Sequence, residues 1–323
     1  MNTFGNIFRV SIFGESHGKW VGITIDGCPA GIDLREDDLL PDLERRKAGA
    51  AGTTPRKEED NPIFVSGVFN NKTTGAPLTI VFENNNVRSA DYDAIKNTPR
   101  PGHADFVFDK KFKGFNDHRG GGHSSGRLTV ALVAAGVVAK KILAGITIEA
   151  KLTEAGGSKD IEAAINKAIE QQDSIGGIIT CSVKGLPVGI GEPFFNSIES
   201  VISHALFSIP AVKGIEFGSG FAAAQMRGSE HNDAIINEQG ETKTNYAGGI
   251  NGGISNGNEL YFRVAVKPTS STPKQQQTWN HATQSVQPFT VKGRHDLCIA
   301  LRVPVVVEAV TAIALADLII CNR

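Results

Sequence analysis

The chain has 323 residues with 33 Lys+Arg against 34 Asp+Glu, and a balance this close to neutral excludes a partner chosen by bulk charge, such as nucleic acid or an acidic membrane. Four cysteines, Cys28, Cys181, Cys298 and Cys321, show no C-x-x-C spacing and no histidine at metal-ligand distance, so a metal framework is excluded and reduced thiols in the cytoplasm are expected. The 36 glycines gather in runs at 120–122, 248–249 and 252–253; no linker divides the chain, and one domain over residues 1–323 is expected.

Residues 7–13 and 21–25 have the β-branched and aromatic content of strands, joined by a Gly-flanked turn that presents His17. The first residues lack the basic, apolar and small-residue succession of a secretory signal. A helix is expected over 35–47, with Asp33 as its cap and Arg45-Arg46-Lys47 at its end, where cations are favourable in any case. The small, Gly-rich stretch 48–54 continues into Arg56 and Lys57, as a basic loop over an anionic site would. Residues 62–69 and 76–83 read as a strand pair. In Arg100-Pro101-Gly102-His103-Ala104-Asp105, Pro and Gly fix a turn and hold His103 on stiff backbone. Segment 109–119 adds Lys110, Lys111, Lys113, His118 and Arg119.

The run Arg119-Gly120-Gly121-Gly122-His123-Ser124-Ser125-Gly126-Arg127 leads into an apolar periodic segment. Glycines allow close backbone approach to a ligand, the serines can cap the next helix, and its free N–H groups favour an anion. The flanking arginines outweigh the dipole, which adds only about 0.3–1 kcal/mol. The helix over 127–143 is apolar on most of its circumference and is expected to be buried. Strands at 146–152, 176–184, 213–218 and 259–266 alternate with helices at 159–172 and 196–208, and a polar, Gly-rich loop fills 225–258. This alternation admits either a parallel α/β sheet or an α+β sandwich, and no G-x-G-x-x-G follows a strand. Lys267-Pro268-Thr269-Ser270-Ser271 places a cation and three hydroxyls on a turn. Lys292-Gly293-Arg294-His295-Asp296 precedes the apolar segment 303–320, with Asp296 readable as a helix cap. That segment carries Glu308 and Asp317, which argues for a core helix and against a membrane span.

No Cys/His metal cluster, Ser-His-Asp spacing or complete Walker motif is present. The residues by themselves point to an enzyme acting on one or two phosphorylated small molecules, with histidines as proton donors.

Five motifs, in order, resemble the chorismate synthase family over essentially the whole chain: Gly14-Glu15-Ser16-His17-Gly18, Arg-Pro-Gly-His-Ala-Asp at 100–105, Gly122 to Thr129, Lys-Pro-Thr-Ser-Ser at 267–271, and Arg294-His295-Asp296 with Glu308 beyond. The resemblance implies elimination of phosphate from 5-enolpyruvylshikimate 3-phosphate, giving chorismate with reduced FMN as cofactor and NADPH as a possible reductant, directly or through a separate reductase. It implies that His17 protonates the departing phosphate, that His103 lies against the flavin, and that Asp296, near flavin N5, moves the ring proton. Flavin contacts would come from His123, Ser124, Ser125, Ala211, Gly252, Lys267, Pro268, Thr269, Ser270, Ser271 and Arg294. Substrate anchors would come from Ser16, Arg46, Arg100, Arg119 and Arg127, with no metal. The implied fold is α+β, a layer of long helices between two antiparallel sheets, assembled as a cytoplasmic homotetramer. The chain departs from the family pattern where 47–52 lacks an arginine and where Leu297 replaces a proline. Two other readings stand beside this one: a small-molecule kinase using the Gly-Ser-Ser loop, and a non-catalytic flavin-binding protein.

Overall fold

The computed structural model describes residues 1–54, 58–85, 96–291 and 295–322. A first sheet is formed by β1 (Thr3–Phe4), β2 (Arg9–Gly14), β3 (Trp20–Asp26), β4 (Ile63–Ser66) and, beyond a small ribbon of β5 (Val68–Phe69) and β6 (Lys72–Thr73), β7 (Leu78–Glu83). Its order is β1-β2-β3-β7-β4. Period-two alternation puts Val21, Ile23 and Ile25 of β3 on one face, and all three are fully buried. Ile23 pairs with Ile12 on one side and Ile80 on the other, which fixes the register.

The second sheet runs β10-β13-β9-β8. Its strands are β8 (Thr147–Ala155), β9 (Gly177–Lys184) and β10 (Val212–Phe217), then, past the ribbon of β11 (Ile250–Asn251) and β12 (Ile254–Ser255), β13 (Leu260–Val266). Cys181 of β9 faces Phe262 of β13 across the ladder, both fully buried. Every strand pairing in both sheets is antiparallel, so the alternation seen in the sequence builds an α+β sandwich and not a parallel α/β sheet.

Seven helices are described: α1 (Leu40–Arg46), α2 (Asp105–Lys111), α3 (Thr129–Ile142), α4 (Ile161–Gln171), α5 (Ile198–Leu206), α6 (Gly228–His231) and α7 (Pro304–Cys321). Helix α3 lies on β3 and β7, α7 lies on β8 and β9, and the two helices pack on each other. Their approach is close because the contact is small: a Cβ at Gly136 would stand 2.3 Å from Ala309 Cβ. Every residue of α7 from Val305 to Leu318 is buried, including both carboxylates. Glu308 accepts from Arg45 at 2.6 and 2.8 Å, Lys140 at 2.9 Å and the Ala150 N–H at 3.0 Å. Asp317 accepts the N–H groups of Asn6, Ile7 and Phe8 at 2.8–2.9 Å. The two charges that the sequence placed in an apolar run are thus buried with partners, as burial requires.

Some expectations differ in detail. The segment 35–47 splits into a 3₁₀ turn, Glu36–Leu39, and α1, with Pro41 in the first turn of α1, where its missing N–H costs nothing. Asp38 accepts the Arg35 N–H at 2.8 Å, while Asp33, the expected cap, pairs with Lys72 at 2.7 Å. The stretch 225–258 is not structureless: Asp233 accepts from Thr244 Oγ1 and from the N–H groups of Tyr246 and Ala247, folding the loop onto itself. The hairpin of β14 (Gln276–Asn280) and β15 (Ser285–Phe289) and helix α2 carried too little apolar periodicity to be read in advance.

Candidate active site

A cavity of about 910 Å³ is walled by the end of α1 with Lys47 and Ala48, the 100–104 turn, residues 120–129, residues 207–213, the 267–271 turn and 295–303, together with residues 1–4, Asp60 and one side of α7. Of the residues singled out in the sequence, Arg46, Arg100, His103, His123, Ser124, Ser125, Arg127, Ala211, Lys267 to Ser271 and Asp296 all stand on this wall. Ser16, His17 and Arg119 do not, and Gly252 lies exposed in the β11–β12 turn away from it. Arg294, like Arg56, lies outside the described residues.

The triple glycine works differently from its expected role. Gly120, Gly121 and Gly122 take φ of 60°, 84° and 53°, the left-handed region that favours glycine. What approaches them is the protein itself. A Cβ at Gly120 would come within 2.3 Å of the His17 ring and 2.8 Å of Ser16 Oγ, one at Gly121 within 3.2 Å of His103 Cε1, and one at Gly122 within 2.1 Å of the Asp117 carbonyl. Two histidines from separate turns therefore meet the same bare backbone, His17 behind the wall at Gly120 and His103 on it. Ser16 Oγ is buried with no hydrogen-bond partner among the described residues. The serines turn inward: Ser124 Oγ donates to the Gly121 carbonyl at 2.7 Å and Ser125 Oγ accepts the Arg127 N–H at 3.3 Å. A 3₁₀ turn, Gly126–Leu128, separates the loop from α3, so the loop does not run straight into the helix as its sequence suggested.

Two turns are clipped together around His103. Its Nδ1 stands 2.6 Å from Asp105 Oδ1. Arg100 holds Asp105 with Nε and Nη2, each at 2.8 Å, and donates to Ser271 Oγ at 3.1 Å. Burial opposes ionisation of Asp105, but the Arg100 and His103 contacts outweigh it and hold the carboxyl below its usual range. From the other turn, Lys267 Nζ donates to the Gly102 carbonyl at 2.9 Å, and so does Ser270 Oγ at 2.7 Å. Burial, then the neighbouring charge of Lys213, pushes the Lys267 ammonium below its usual range. Both lysines line the cavity, and an anion between them would relieve their repulsion. Ala211, with φ of 75°, is a strained residue on the same wall, where such strain commonly marks a functional site.

The arginines are engaged by the protein. Arg46 donates to Thr129 Oγ1, Asp60 Oδ2 and the Gly126 and Arg127 carbonyls at 2.9–3.3 Å. Arg127 donates to Asn84 Oδ1, the Glu83 carbonyl and Asp60 Oδ1. Asp60 thus lies between two arginines, all three side chains at 5% exposure or less. Arg119 closes on Asp117 with both arms at 2.7–2.8 Å, away from the cavity. Asp296 is no helix cap: it accepts the Thr54 N–H at 2.9 Å and pairs with Arg302 at 3.2 Å. His123 contacts the Gly14 carbonyl through Nδ1 at 2.7 Å, joining the loop to the end of β2. The sequence offers no signal for Asp60 or Arg302 and no role for Asp105 within its Arg-Pro-Gly-His-Ala-Asp motif, since one more charged residue in a charged stretch carries no local signal of its partner.

A family model described as chorismate synthase matches residues 8–320. The chain belongs to the chorismate synthase family. A chorismate synthase of Chitinophaga pinensis is 66% identical over 100% of this chain and 98% of its own length. One from Methanocaldococcus jannaschii is 43% identical over 99% of this chain and 96% of its own. A solved structure titled as a chorismate synthase superposes with a TM-score of 0.76 at 26% identity, over 98% of this chain and 93% of that one. The chain is accordingly a carbon–oxygen lyase acting on a phosphate, with the chorismate synthase reaction: elimination of phosphate from 5-enolpyruvylshikimate 3-phosphate to give chorismate, at the end of the shikimate route to aromatic amino acids. Membership displaces the kinase reading of the Gly-Ser-Ser loop.

Proposed function

We propose that the chorismate synthase reaction runs in this cavity, with reduced FMN bound beside the substrate. The observation that carries the reading is the convergence of His17 and His103 on adjacent glycines, with Asp296 and a set of arginines on or behind the same wall. About 910 Å³ lies at the upper end of small-molecule sites, a size compatible with a cofactor and a substrate together. The facing Lys213 and Lys267, the 267–271 hydroxyls and the left-handed main chain at Ala211 suit a phosphate-bearing cofactor. When bound, reduced FMN supplies transient electron density to an elimination that involves no net redox change.

The chain's own residues do the rest. On the family motif, His17 donates a proton to the phosphate as its C–O bond breaks and Ser16 holds a phosphate oxygen, both from behind the Gly120 main chain, since neither lines the cavity. Asp296 accepts the proton lost from the ring. His103, held by Asp105, stands against the flavin and adjusts its charge. Arg46 and Arg127 draw the substrate's anionic groups toward Asp60's end of the cavity, Arg100 fixes the His103 turn, and Arg119 acts through Asp117 from outside the wall. Arg294 is a flavin contact on the family motif alone, and so is Gly252, whose place away from the cavity does not support that role within one chain. A homotetramer in the cytoplasm, with flavin reduced by NADPH or by an outside reductase, completes the reading.

The test is anaerobic chorismate formation with FMN reduced by dithionite, and again with NADPH alone. Product with dithionite only establishes dependence on outside reductant, and product in both adds an intrinsic flavin reductase. No product in either, with FMN bound, leaves a flavin-binding protein whose substrate is misread, and overturns the reading.

A further inference from the structure

We propose that Arg302 is the positioning residue of Asp296, clamping that carboxylate to the loop that follows Arg46. The proposal rests on the reading of Asp296 as the proton acceptor. Arg302 closes the 3₁₀ turn Ile299–Arg302 just before α7, on the cavity wall. Its Nη1 donates to Asp296 Oδ2 and Oδ1 at 3.2 and 3.4 Å, and its Nε donates to the Arg46 carbonyl at 2.9 Å. On the other side, the Thr54 N–H donates to Asp296 Oδ1 at 2.9 Å.

Two further hydrogen bonds join the same segments. The Leu297 and Cys298 N–H groups both donate to the Gly52 carbonyl, at 2.8 and 3.1 Å. The first exists because residue 297 is leucine; a proline there has no N–H to give. The 47–54 loop and the 295–298 turn are therefore one unit, and Arg302 is the side chain that reaches both. A carboxylate gripped from two directions keeps one orientation of its lone pairs, which a proton acceptor needs. Only a planar fork can do both tasks, because a lysine ammonium is a single point on a flexible stem. The clamp also joins Asp296 to the main chain of Arg46, so that a substrate anion drawn to that arginine and the group that takes its proton share one rigid frame.

The experiment compares Arg302→Gln and Arg302→Lys, each alone and combined with Asp296→Asn, in the full-length enzyme with FMN and 5-enolpyruvylshikimate 3-phosphate. Arg302→Gln is expected to lower kcat by about 10²-fold with KM little changed, Arg302→Lys to recover part of it, and the double variant to be no slower than Asp296→Asn alone. Slowing in the double variant by the product of the two single effects overturns the proposal, since Arg302 would then act without Asp296. Wild-type turnover of Asp296→Asn overturns the reading of Asp296 instead, a separable failure. Amide exchange at Thr54 in flavin-free protein gives a readout independent of activity: faster exchange in Arg302→Gln, or in Arg302→Lys if the glutamine variant does not fold, supports the clamp, and unchanged exchange in a folded variant overturns it.

Discussion

Arg45 and Arg46 are neighbours on α1, yet they end in two different kinds of ion cluster. Arg45 reaches across to Glu308 with its side chain 46% exposed, beside Lys140 at 28%. Arg46 turns inward to Asp60 at 5% exposure, beside an equally buried Arg127. Neighbouring carboxylates drive the Arg45 guanidinium upward from its ordinary value. Burial, followed by the charge of Arg302, pushes Arg46 down to about 9, still protonated at neutral pH. The first cluster fastens α1, α3, α7 and β8 around one carboxylate, with its cations free to reach water. The second holds more positive than negative charge in a dry place, an arrangement that suits a site awaiting an anion better than it suits stability.

The comparison is broken most sharply at Asp60. Asp60→Ala leaves Arg46 and Arg127 buried with no carboxylate between them, and should cost about 3–5 kcal/mol in denaturant unfolding; a loss below 1 kcal/mol would show that the arginines find water. Gly120→Ala tests the other half of the site. Its Cβ needs the space that the His17 ring fills, so chorismate formation should fall by about 10²-fold, with unfolding free energy reduced by about 1–2 kcal/mol for the positive φ. Full activity would mean that the position of His17 does not matter.

Glu308→Gln should cost about 1–3 kcal/mol, less than Asp60→Ala, because its cations can turn to water while a buried acceptor is weakened. Its pH dependence has a definite sign. Burial opposes ionisation of Glu308, but Arg45 and Lys140 outweigh it and hold the carboxyl below 4.5. A depressed folded-state value means that the stabilisation is fully present above about pH 4.5 and is lost as pH falls through the lower folded-state value. Wild-type unfolding free energy should therefore drop on acidification more steeply than that of Glu308→Gln; parallel curves would remove Glu308 from the acid response. Smallest of all is Arg45→Gln, within about 1 kcal/mol by chemical denaturation, as for an exposed ion-pair partner. A loss as large as that of Asp60→Ala would erase the distinction between the two clusters.

Most of the elements could be read in advance because each strand or helix writes its buried face locally: Val21, Ile23 and Ile25 alternate, and α3 and α7 are apolar on most of their circumference. The two histidine turns and the hydroxyl-rich turn at 267–271 were visible for the same reason, since Gly and Pro mark stiff, exposed backbone within a few residues. The hairpin at 276–289 was not, because residues such as Gln276, Gln277 and Thr278 carry polar side chains and owe their strand to the partner across the turn.

The sequence by itself determined the inventory: which residues can carry protons and anions, where the backbone must turn, and, through five ordered motifs, the family. Only the tertiary structure decided how these groups are spent. It chose antiparallel sheets around helices, gave the glycines to two histidines, and turned Arg46 and Arg127 onto Asp60. It also matched Asp296 with Arg302 and with Thr54, 242 positions back along the chain. The reason is one of range. Periodicity and turn chemistry act over a few residues, whereas a charge finds its partner only when distant segments have packed, and nothing in its own neighbourhood records which partner that will be.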